Sequence, residues 1–389
     1  MSQSTTRVGV LFERSDDEAR VALVPEVLGK VSGMGTQILV EPGAGAAATF
    51  DDAAYVAAGA TLSDPANIYA RADIIVRVGP PTAAESQLLR SGQVLIGLLR
   101  PWERLDDVRA WAERGVTTIA LDYLPRTLSR TQVMDVLTSQ ASVAGYRAAI
   151  RAANVYGGYF PMLMTAAGTV KPAEVLVLGA GVAGLQAIAT ARRLGASVSG
   201  YDVRPAAREE VASLGAKFVN LPGVVSTSGS GGYARELTAE ERAAQLAALD
   251  KHISRSDIVI TTAQVPGRKP PLLVTAQAVA AMKPGSVVLD MAASAYGGNV
   301  EVSKPGVTVI VEPGVTVIGA GSLASDMAPA ASRAYARNIT ALLSLLVKDG
   351  VLTVDPADEV VGAMLVTHQG RVIHEAITKA LAADEGGTT

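Results

Sequence analysis

The chain has 389 residues, 49% of them hydrophobic but only 4% aromatic, and its 34 basic and 37 acidic residues give a formal net charge of −3. This charge balance argues against a nucleic-acid-binding protein, and the absence of cysteine excludes disulfides, cysteine-ligated zinc and thiol catalysis. The length suits two domains with cores of Val, Leu, Ile and Ala, which is typical of parallel α/β proteins.

The first 128 residues alternate between strand-like and helix-like segments, which predicts parallel βαβ units. Short apolar runs predict buried strands at residues 7–12, 36–40, 74–78, 93–99 and 117–120. An apolar helical stretch and a hairpin near the C-terminus are expected to return to this part of the chain. The predicted N-terminal domain is therefore Rossmann-like and combines residues 1–128 with residues 330–389.

Residues 129–158 contain no proline and many helix formers, which predicts one long helix linking two domains and ending near Gly157 and Gly158. The second predicted domain covers residues 159–329. It contains further apolar strands at residues 217–220, 258–261, 286–290, 307–311 and 316–318. We therefore expect an α/β fold with two Rossmann-like, doubly wound parallel sheets joined by a long helix.

A glycine-rich turn, GAGVAG at residues 179–184, follows the apolar strand 175–178 and precedes a helical pattern. In dinucleotide-binding turns the first glycine makes the tight turn, the second lets the backbone approach the pyrophosphate and the third lets helix and strand pack closely. The helix N-terminus attracts the phosphates. The alternative is a glycine-rich turn that binds no ligand. The candidate cofactor-binding residues here are Gly179, Ala180, Gly181, Val182 and Gly184.

An acidic residue, Asp202, ends the next apolar strand, 18 residues after Gly184. At this spacing a carboxylate accepts hydrogen bonds from the adenosine ribose. Its charge repels a 2′-phosphate and so favours NAD(H) over NADP(H), whereas the nearby Arg204 weakens that preference. Asp202, Val203 and Arg204 are therefore predicted to bind the cofactor.

A run of three glycines and three serines precedes Tyr233 and gives residues 226–235 the composition of a flexible loop. This loop is either a lid that closes over the cofactor with Gly232 and Tyr233 or a surface insertion without a role.

Several strings resemble a single superfamily: EARVALVP at 18–25, EPGAG at 41–45, FDDAAYVAAGA at 50–60, TTAQVPGRKPP at 261–271 and MKPGSVVLDMA at 282–292. Together they resemble alanine dehydrogenases and proton-translocating nicotinamide nucleotide transhydrogenases over residues 7–376. The resemblance implies that Gln264, in the fourth string, contacts the cofactor. Because the two families share a scaffold, the choice between them depends on the site.

Alanine dehydrogenases of this superfamily use a lysine on a strand of the first domain and a histidine some two dozen residues later. Arg77 occupies the lysine position, and residues 1–128 contain no histidine. A permanently charged guanidinium is a poor general acid or base, and amino-acid oxidation requires proton exchange. Alanine dehydrogenase is therefore the disfavoured alternative. The chain's histidines are also too few and too scattered to suggest a metal site; they are His252, His368 and His374.

The string PRTLSRTQVMDVLTSQASVAGYR, residues 125–147, resembles a signature of the NAD(H)-binding transhydrogenase component. Its spacing places Gln132 and Asp135 on one helical face. An extra residue before Gln132 leaves open whether Arg126 or Arg130 faces the nicotinamide. The resemblance implies a nicotinamide site in which Arg126, Gln132 and Asp135 serve catalysis and which is formed by Arg126, Gln132, Asp135, Thr138, Ser139 and Tyr146.

The resemblance further implies that the chain binds NAD(H) and transfers hydride directly to NADP⁺ on a partner subunit, which requires orientation rather than a protein nucleophile. It implies a homodimer whose NADP(H)-binding and membrane-spanning partner subunits translocate protons. Because no apolar run is long enough for a signal peptide or a membrane span, we expect a cytoplasmic chain, peripheral at the inner face of the cytoplasmic membrane. A third possibility is a nucleotide-binding module without catalysis.

Overall fold

The computed structural model describes residues 5–221, 238–264 and 269–386. Contacts between residues divide the chain into two compact units, Met1–Gln140 with Ser325–Thr389, and Ala141–Ala324. Each unit is built on a mainly parallel sheet, and the C-terminal segment belongs to the first unit. The predicted α/β class with two Rossmann-like sheets is therefore confirmed.

The strands and helices of the described residues are numbered in chain order. The strands are β1 (Arg7–Val10), β2 (Gln37–Val40), β3 (Thr61–Leu62), β4 (Ile74–Val76), β5 (Val94–Gly97), β6 (Thr117–Ala120), β7 (Leu163–Thr165), β8 (Gly168–Val170), β9 (Glu174–Leu178), β10 (Ser197–Tyr201), β11 (Lys217–Phe218), β12 (Ile258–Thr261), β13 (Val287–Asp290), β14 (Thr308–Val311), β15 (Val315–Gly319), β16 (Val347–Lys348), β17 (Val351–Leu352), β18 (Leu365–His368) and β19 (Arg371–Val372). The α-helices are α1 (Pro25–Ser32), α2 (Asp52–Ala57), α3 (Pro65–Arg71), α4 (Ala83–Leu88), α5 (Leu105–Glu113), α6 (Val136–Val155), α7 (Val182–Arg193), α8 (Ala207–Ser213), α9 (Ala239–Ile253), α10 (Ala276–Ala280), α11 (Ala328–Leu346), α12 (Glu359–Met364) and α13 (Glu375–Gly386).

The sheet of the first unit has the order β19-β18-β6-β5-β4-β1-β2-β3. Strands β1 to β6 are parallel, whereas β18 and β19 extend the sheet in the antiparallel direction. The central strands are buried on both faces, as their apolar runs predict. One face packs against α1 and α11 through Leu28, Tyr335 and Leu343, and the other against α3 and α5 through Ile68 and Trp111.

The sheet of the second unit has the order β11-β10-β9-β12-β13-β15-β14, and every pair is parallel except β14 with β15. Helix α7, α8 and residues 141–155 of α6 cover one face through Ala148, Ile188 and Val211. Helices α9 and α10 cover the other face through Leu249 and Val279. The strand order reverses beside β9, so the crevice at the carboxyl ends of β9 and β12 is the expected ligand position in this fold.

The segment before α6 differs from the prediction. Composition predicts one helix over residues 129–158, but a 3-10 helix at Ser129–Met134 ends at Asp135, and α6 begins only at Val136. The Thr131 hydroxyl bonds the Pro125 carbonyl oxygen (2.8 Å), and the Asp135 carboxylate accepts the Thr138 N–H (2.8 Å). These local side-chain bonds compete with a continuous helix. The prediction that Gln132 and Asp135 share an α-helical face is therefore wrong.

Candidate functional site

The glycine turn joins β9 to α7 at the carboxyl edge of the second unit's sheet. Gly179 has a φ of 99°, which favours glycine, and its N–H donates to the Tyr201 carbonyl oxygen (2.8 Å). A Cβ at Gly184 would overlap the Gly179 carbonyl oxygen, so only glycine permits this approach of helix to turn. A Cβ at Gly181 would meet no described atom within 4 Å. The turn therefore leaves open space at the N-terminus of α7, which fits a dinucleotide pyrophosphate.

The Asp202 carboxylate follows β10 at the same edge and is held by the glycine turn. Its Oδ2 accepts the Ala180 N–H (2.8 Å), and its Oδ1 accepts the backbone N–H of Arg204 (2.8 Å). The Arg204 guanidinium also bonds this carboxylate through Nε (3.1 Å). The half-buried Val203 lies between the two charged residues in the chain. The structure thus brings together the motif residues of the turn with Asp202 and Arg204.

Two buried polar residues that the sequence analysis does not select hold the neighbouring loops. Asn299 is fully buried; its Oδ1 accepts the Ala263 N–H (3.0 Å), and its Nδ2 donates to the Pro271 carbonyl oxygen (2.7 Å). Asp290, also fully buried, accepts hydrogen bonds from the hydroxyls of Thr261 (2.9 Å) and Ser303 (2.6 Å). An aspartate that ends an apolar strand and the GGN string were the available signals. Both side chains fix the loops after β12 and β13.

The remaining predicted residue of this unit's loops is Gln264, which follows β12. Its side chain is exposed, and Nε2 donates to the Met291 carbonyl oxygen (3.0 Å). The predicted lid residues, Gly232 and Tyr233, lie outside the described residues.

A second cluster of predicted residues surrounds the start of α6 in the first unit. Arg126 donates to Asp135 Oδ2 through Nε (3.1 Å) and to the Thr138 hydroxyl (2.8 Å). The Thr138 hydroxyl in turn donates to Asp135 Oδ2 (2.6 Å). Arg130 instead makes two bonds with Asp358 (3.1 and 3.2 Å). Of the two candidate arginines, Arg126 is therefore the one placed beside Asp135.

The other predicted nicotinamide residues have different surroundings. Gln132 is exposed on the 3-10 helix before Asp135. The Ser139 hydroxyl bonds Asn338 Oδ1 (2.7 Å) in the first unit. Tyr146, 40% exposed, lies on the portion of α6 that belongs to the second unit, next to Gly145, which packs against the first turn of α7.

Arg77, the residue at the lysine position, is enclosed in an ion-pair cluster. Its side chain is 1% exposed and pairs with Glu85 (2.8 Å) and with Glu13 (3.1 Å). Burial acts to lower the pKa of Arg77, but the two carboxylates more than offset it and raise that pKa. Burial raises the pKa of Glu13. Arg77 is therefore a permanently charged structural residue that is withheld from any substrate.

Two histidines of the C-terminal segment belong to the first unit. His368 Nδ1 lies 3.1 Å from the Thr117 hydroxyl, at the amino end of β6 and thus opposite the carboxyl edge of the sheet. The His374 ring stacks on Tyr123 at 3.8 Å, and burial lowers its pKa. Both rings are engaged in packing or hydrogen bonding within the unit.

Two family models match almost the whole chain. The model of the alanine dehydrogenase/PNT N-terminal domain matches residues 9–144, and that of the C-terminal domain matches residues 148–375. The chain belongs to the alanine dehydrogenase/PNT family. This confirms the family that the sequence motifs predict.

Individual members of the alanine dehydrogenase/PNT family show which branch is most similar. The first of the polypeptides that make up NAD(P) transhydrogenase subunit alpha in Rhodospirillum rubrum is 43% identical over 382 residues, which cover 96% of this chain and 99% of that protein. A transhydrogenase crystal structure from Sinorhizobium meliloti has 44% identity and a TM-score of 0.85, covering 94% of this chain and 100% of that one. Alanine dehydrogenase of Mycobacterium tuberculosis is 33% identical over 308 residues, or 77% of this chain and 75% of that protein. The similarity is thus greater to these transhydrogenase proteins.

Across residues 5–221, 238–264 and 269–386, no helix is both long enough and apolar enough to cross a lipid bilayer.

Proposed function

We propose that this chain is the NAD(H)-binding peripheral subunit of a proton-translocating NAD(P)⁺ transhydrogenase. It binds NADH and presents it to NADP⁺ on a partner subunit. The 43% identity to a transhydrogenase alpha subunit over nearly the whole chain supports this assignment. When bound, NADH supplies the hydride, and the chain's own residues bind and orient it.

The glycine turn and Asp202 are the proposed adenosine and pyrophosphate site. The N-terminus of α7 offers unpaired backbone N–H groups and a partial positive charge to the phosphates, and the space beside Gly181 lets the backbone approach them. Asp202 would accept the ribose hydroxyls. Gln264, with the proposed lid residues Gly232 and Tyr233, completes this set.

The proposed nicotinamide and ribose residues are Arg126, Gln132, Asp135, Thr138, Ser139 and Tyr146. The hydrogen bonds among Arg126, Asp135 and Thr138 fix a cation, a carboxylate and a hydroxyl in one place. Such a rigid polar set can orient an amide-bearing ring and its ribose. The exposed Gln132 is free of this set's geometry and would contact the incoming nucleotide or its partner domain.

The burial of Arg77 is the observation that favours transhydrogenation over amino-acid oxidation. Oxidation of an amine requires a group that takes up and releases protons near neutral pH. The guanidinium of Arg77 is paired with two carboxylates and stays charged. Direct transfer between two nicotinamides needs no such group, so the lack of an acid–base residue at this position fits the proposed reaction.

The partners follow from the proposed reaction. The NADP(H) site and the proton pathway would lie on separate subunits that span the membrane. The chain would form a homodimer at the inner face of the cytoplasmic membrane.

Reconstitution tests the proposal. The purified chain is mixed with an NADP(H)-binding transhydrogenase component, NADH and an NADP⁺ analogue whose reduction is followed by absorbance. We expect transfer with the component and none with pyruvate and ammonia. Oxidation of NADH by the chain alone with pyruvate and ammonia would instead establish an alanine dehydrogenase. Nucleotide binding without transfer under either condition would establish a binding module.

Two variants separate binding from transfer. Asp202→Ala should weaken NADH binding in a fluorescence titration, because the ribose hydroxyls lose their acceptor. Gln132→Ala should bind NADH nearly as the wild type does but lose most of the transfer rate. An unchanged transfer rate would show that Gln132 does not act where the nucleotides react.

A further inference from the structure

We infer that Arg204 competes with the adenosine ribose for the Asp202 carboxylate and transfers to Glu210 when NAD(H) occupies the site. The inference rests on the proposed binding of NAD(H) at the glycine turn. It makes Arg204 the residue that sets the preference between nucleotides with and without a 2′-phosphate.

The acceptor positions of Asp202 are fully used. A carboxylate offers about four lone-pair positions, two on each oxygen. Oδ1 accepts the Arg204 backbone N–H (2.8 Å) and Nε (3.1 Å). Oδ2 accepts the Ala180 N–H (2.8 Å) and an Arg204 terminal nitrogen (3.2 Å). Two positions are held by backbone and two by the guanidinium, so the two ribose hydroxyls can bind only where the guanidinium now lies.

The backbone bonds keep Asp202 in place when the guanidinium leaves. The Ala180 N–H belongs to the glycine turn and the Arg204 N–H to the chain that follows β10. Both are independent of the arginine side chain. Departure of the guanidinium therefore frees one position on each carboxylate oxygen without releasing the carboxylate from the turn.

Glu210 offers the guanidinium another partner. Its Oε2 lies 3.7 Å from a terminal nitrogen of Arg204. That oxygen is itself buried and has no hydrogen-bond partner among the described residues. A buried, unpaired carboxylate oxygen is unfavourable. A shift of about 1 Å would bring the guanidinium into hydrogen-bond range, so the loss of one ion pair is offset by the gain of another.

The two nicotinamide nucleotides should respond to Arg204 in opposite directions. For NAD(H), the guanidinium is a competitor for Asp202. For NADP(H), the 2′-phosphate is repelled by Asp202 but can pair with the released guanidinium. Removing the guanidinium should therefore tighten NADH binding and weaken NADPH binding, which widens the discrimination between them.

The test is a set of NADH and NADPH fluorescence titrations on the full chain. In Arg204→Met, which keeps the aliphatic stem, we expect NADH to bind up to about fivefold tighter, the range of one partly exposed ion pair, and NADPH to bind more weakly. Arg208→Met, on the same helix as Glu210 but bonded to Asn220, is the matched control and should leave both affinities unchanged. Circular dichroism melts establish that each variant is folded.

Glu210→Gln provides the second arm. It weakens the alternative partner of Arg204, so NADH should bind more weakly, and this effect should vanish in the Arg204→Met/Glu210→Gln double variant. Unchanged or weaker NADH binding in Arg204→Met, or a Glu210→Gln effect that persists in the double variant, would overturn the inference. Failure of the wild-type chain to bind NADH at all would instead overturn the proposed function.

Discussion

The close approach of α7 to the glycine turn predicts that Gly184→Ala destabilises the second unit. A Cβ at Gly184 would overlap the Gly179 carbonyl oxygen and lie 2.9 Å from the Gly179 carbonyl carbon and 3.1 Å from Thr262 Oγ1. The carbonyl cannot turn away freely, because its oxygen accepts the Thr262 hydroxyl (2.9 Å) and the Gly179 N–H is bonded to Tyr201 (2.8 Å). The helix must therefore move.

The cost of that movement can be estimated from packing. Helix α7 carries Ala187, Ile188 and Ala191, which are fully buried in the core of the second unit. Overpacking such a contact costs about 1–3 kcal/mol, and the gain in helix propensity from glycine to alanine returns about 1 kcal/mol at most. We expect a net loss of about 1–2 kcal/mol, or roughly 2–8 °C in Tm for a unit of this size.

Gly181→Ala is the matched control on the same turn. Its φ of −73° suits any residue, and no described atom lies within 4 Å of the new Cβ. The Tm should therefore stay within about 1 °C of wild type. The methyl group would occupy the space proposed for the pyrophosphate, so NADH binding should weaken by about tenfold or more.

Thermal melts and NADH titrations of the two variants check the reasoning. Gly184→Ala should lose stability, and Gly181→Ala should lose affinity at unchanged stability. A wild-type Tm for Gly184→Ala would refute the packing argument. Wild-type affinity for Gly181→Ala would refute the placement of the pyrophosphate at this helix.

Three further predictions concern the first unit. Arg77→Met should cost about 3–5 kcal/mol in denaturant unfolding, because it leaves the buried carboxylates of Glu13 and Glu85 unpaired. Burial raises the pKa of Asp122 to about 6 from an ordinary 3.8, so its contribution to stability is complete below pH 3.8 and is lost as the pH rises through 6. Asp122→Asn should therefore gain up to about 3 kcal/mol on the wild type between pH 4 and pH 7; an equal difference at both pH values would contradict this. Thr138→Val should slow transfer in the reconstituted assay more than Thr138→Ser, which retains the hydroxyl bonded to Arg126.

The strand positions and the glycine turn could be predicted because their signals are local. Apolar runs of Val, Ile and Leu bounded by glycine or polar residues identify buried parallel strands, and β6 and β12 coincide with the predicted ranges. The turn and Asp202 follow from a spacing of 18 residues and from strand–helix context. The structure supplies the bonds that join them.

The break before α6 and the buried polar contacts could not be predicted in this way. Whether Asp135 continues a helix or caps the next one depends on the bonds that its carboxylate and Thr131 make locally, which composition does not fix. Asn299 contacts Ala263, 36 residues earlier. Such contacts between loops at different strand ends arise only once the sheet order is known.

The two sheets share a doubly wound strand order but use their carboxyl edges differently, which is why fold alone does not give function. In the first unit, charged residues after the strands neutralise one another: Arg77 pairs with Glu13 and Glu85, and Arg14 pairs with Glu41 at 2.6 Å. In the second unit the turn after β9 presents the start of a twelve-residue helix and holds one carboxylate beside it. An edge whose charges are internally satisfied has little left to attract an anion, whereas a free helix N-terminus has an unmet preference for one. The electrostatics of the two edges therefore favour the second unit as the dinucleotide site.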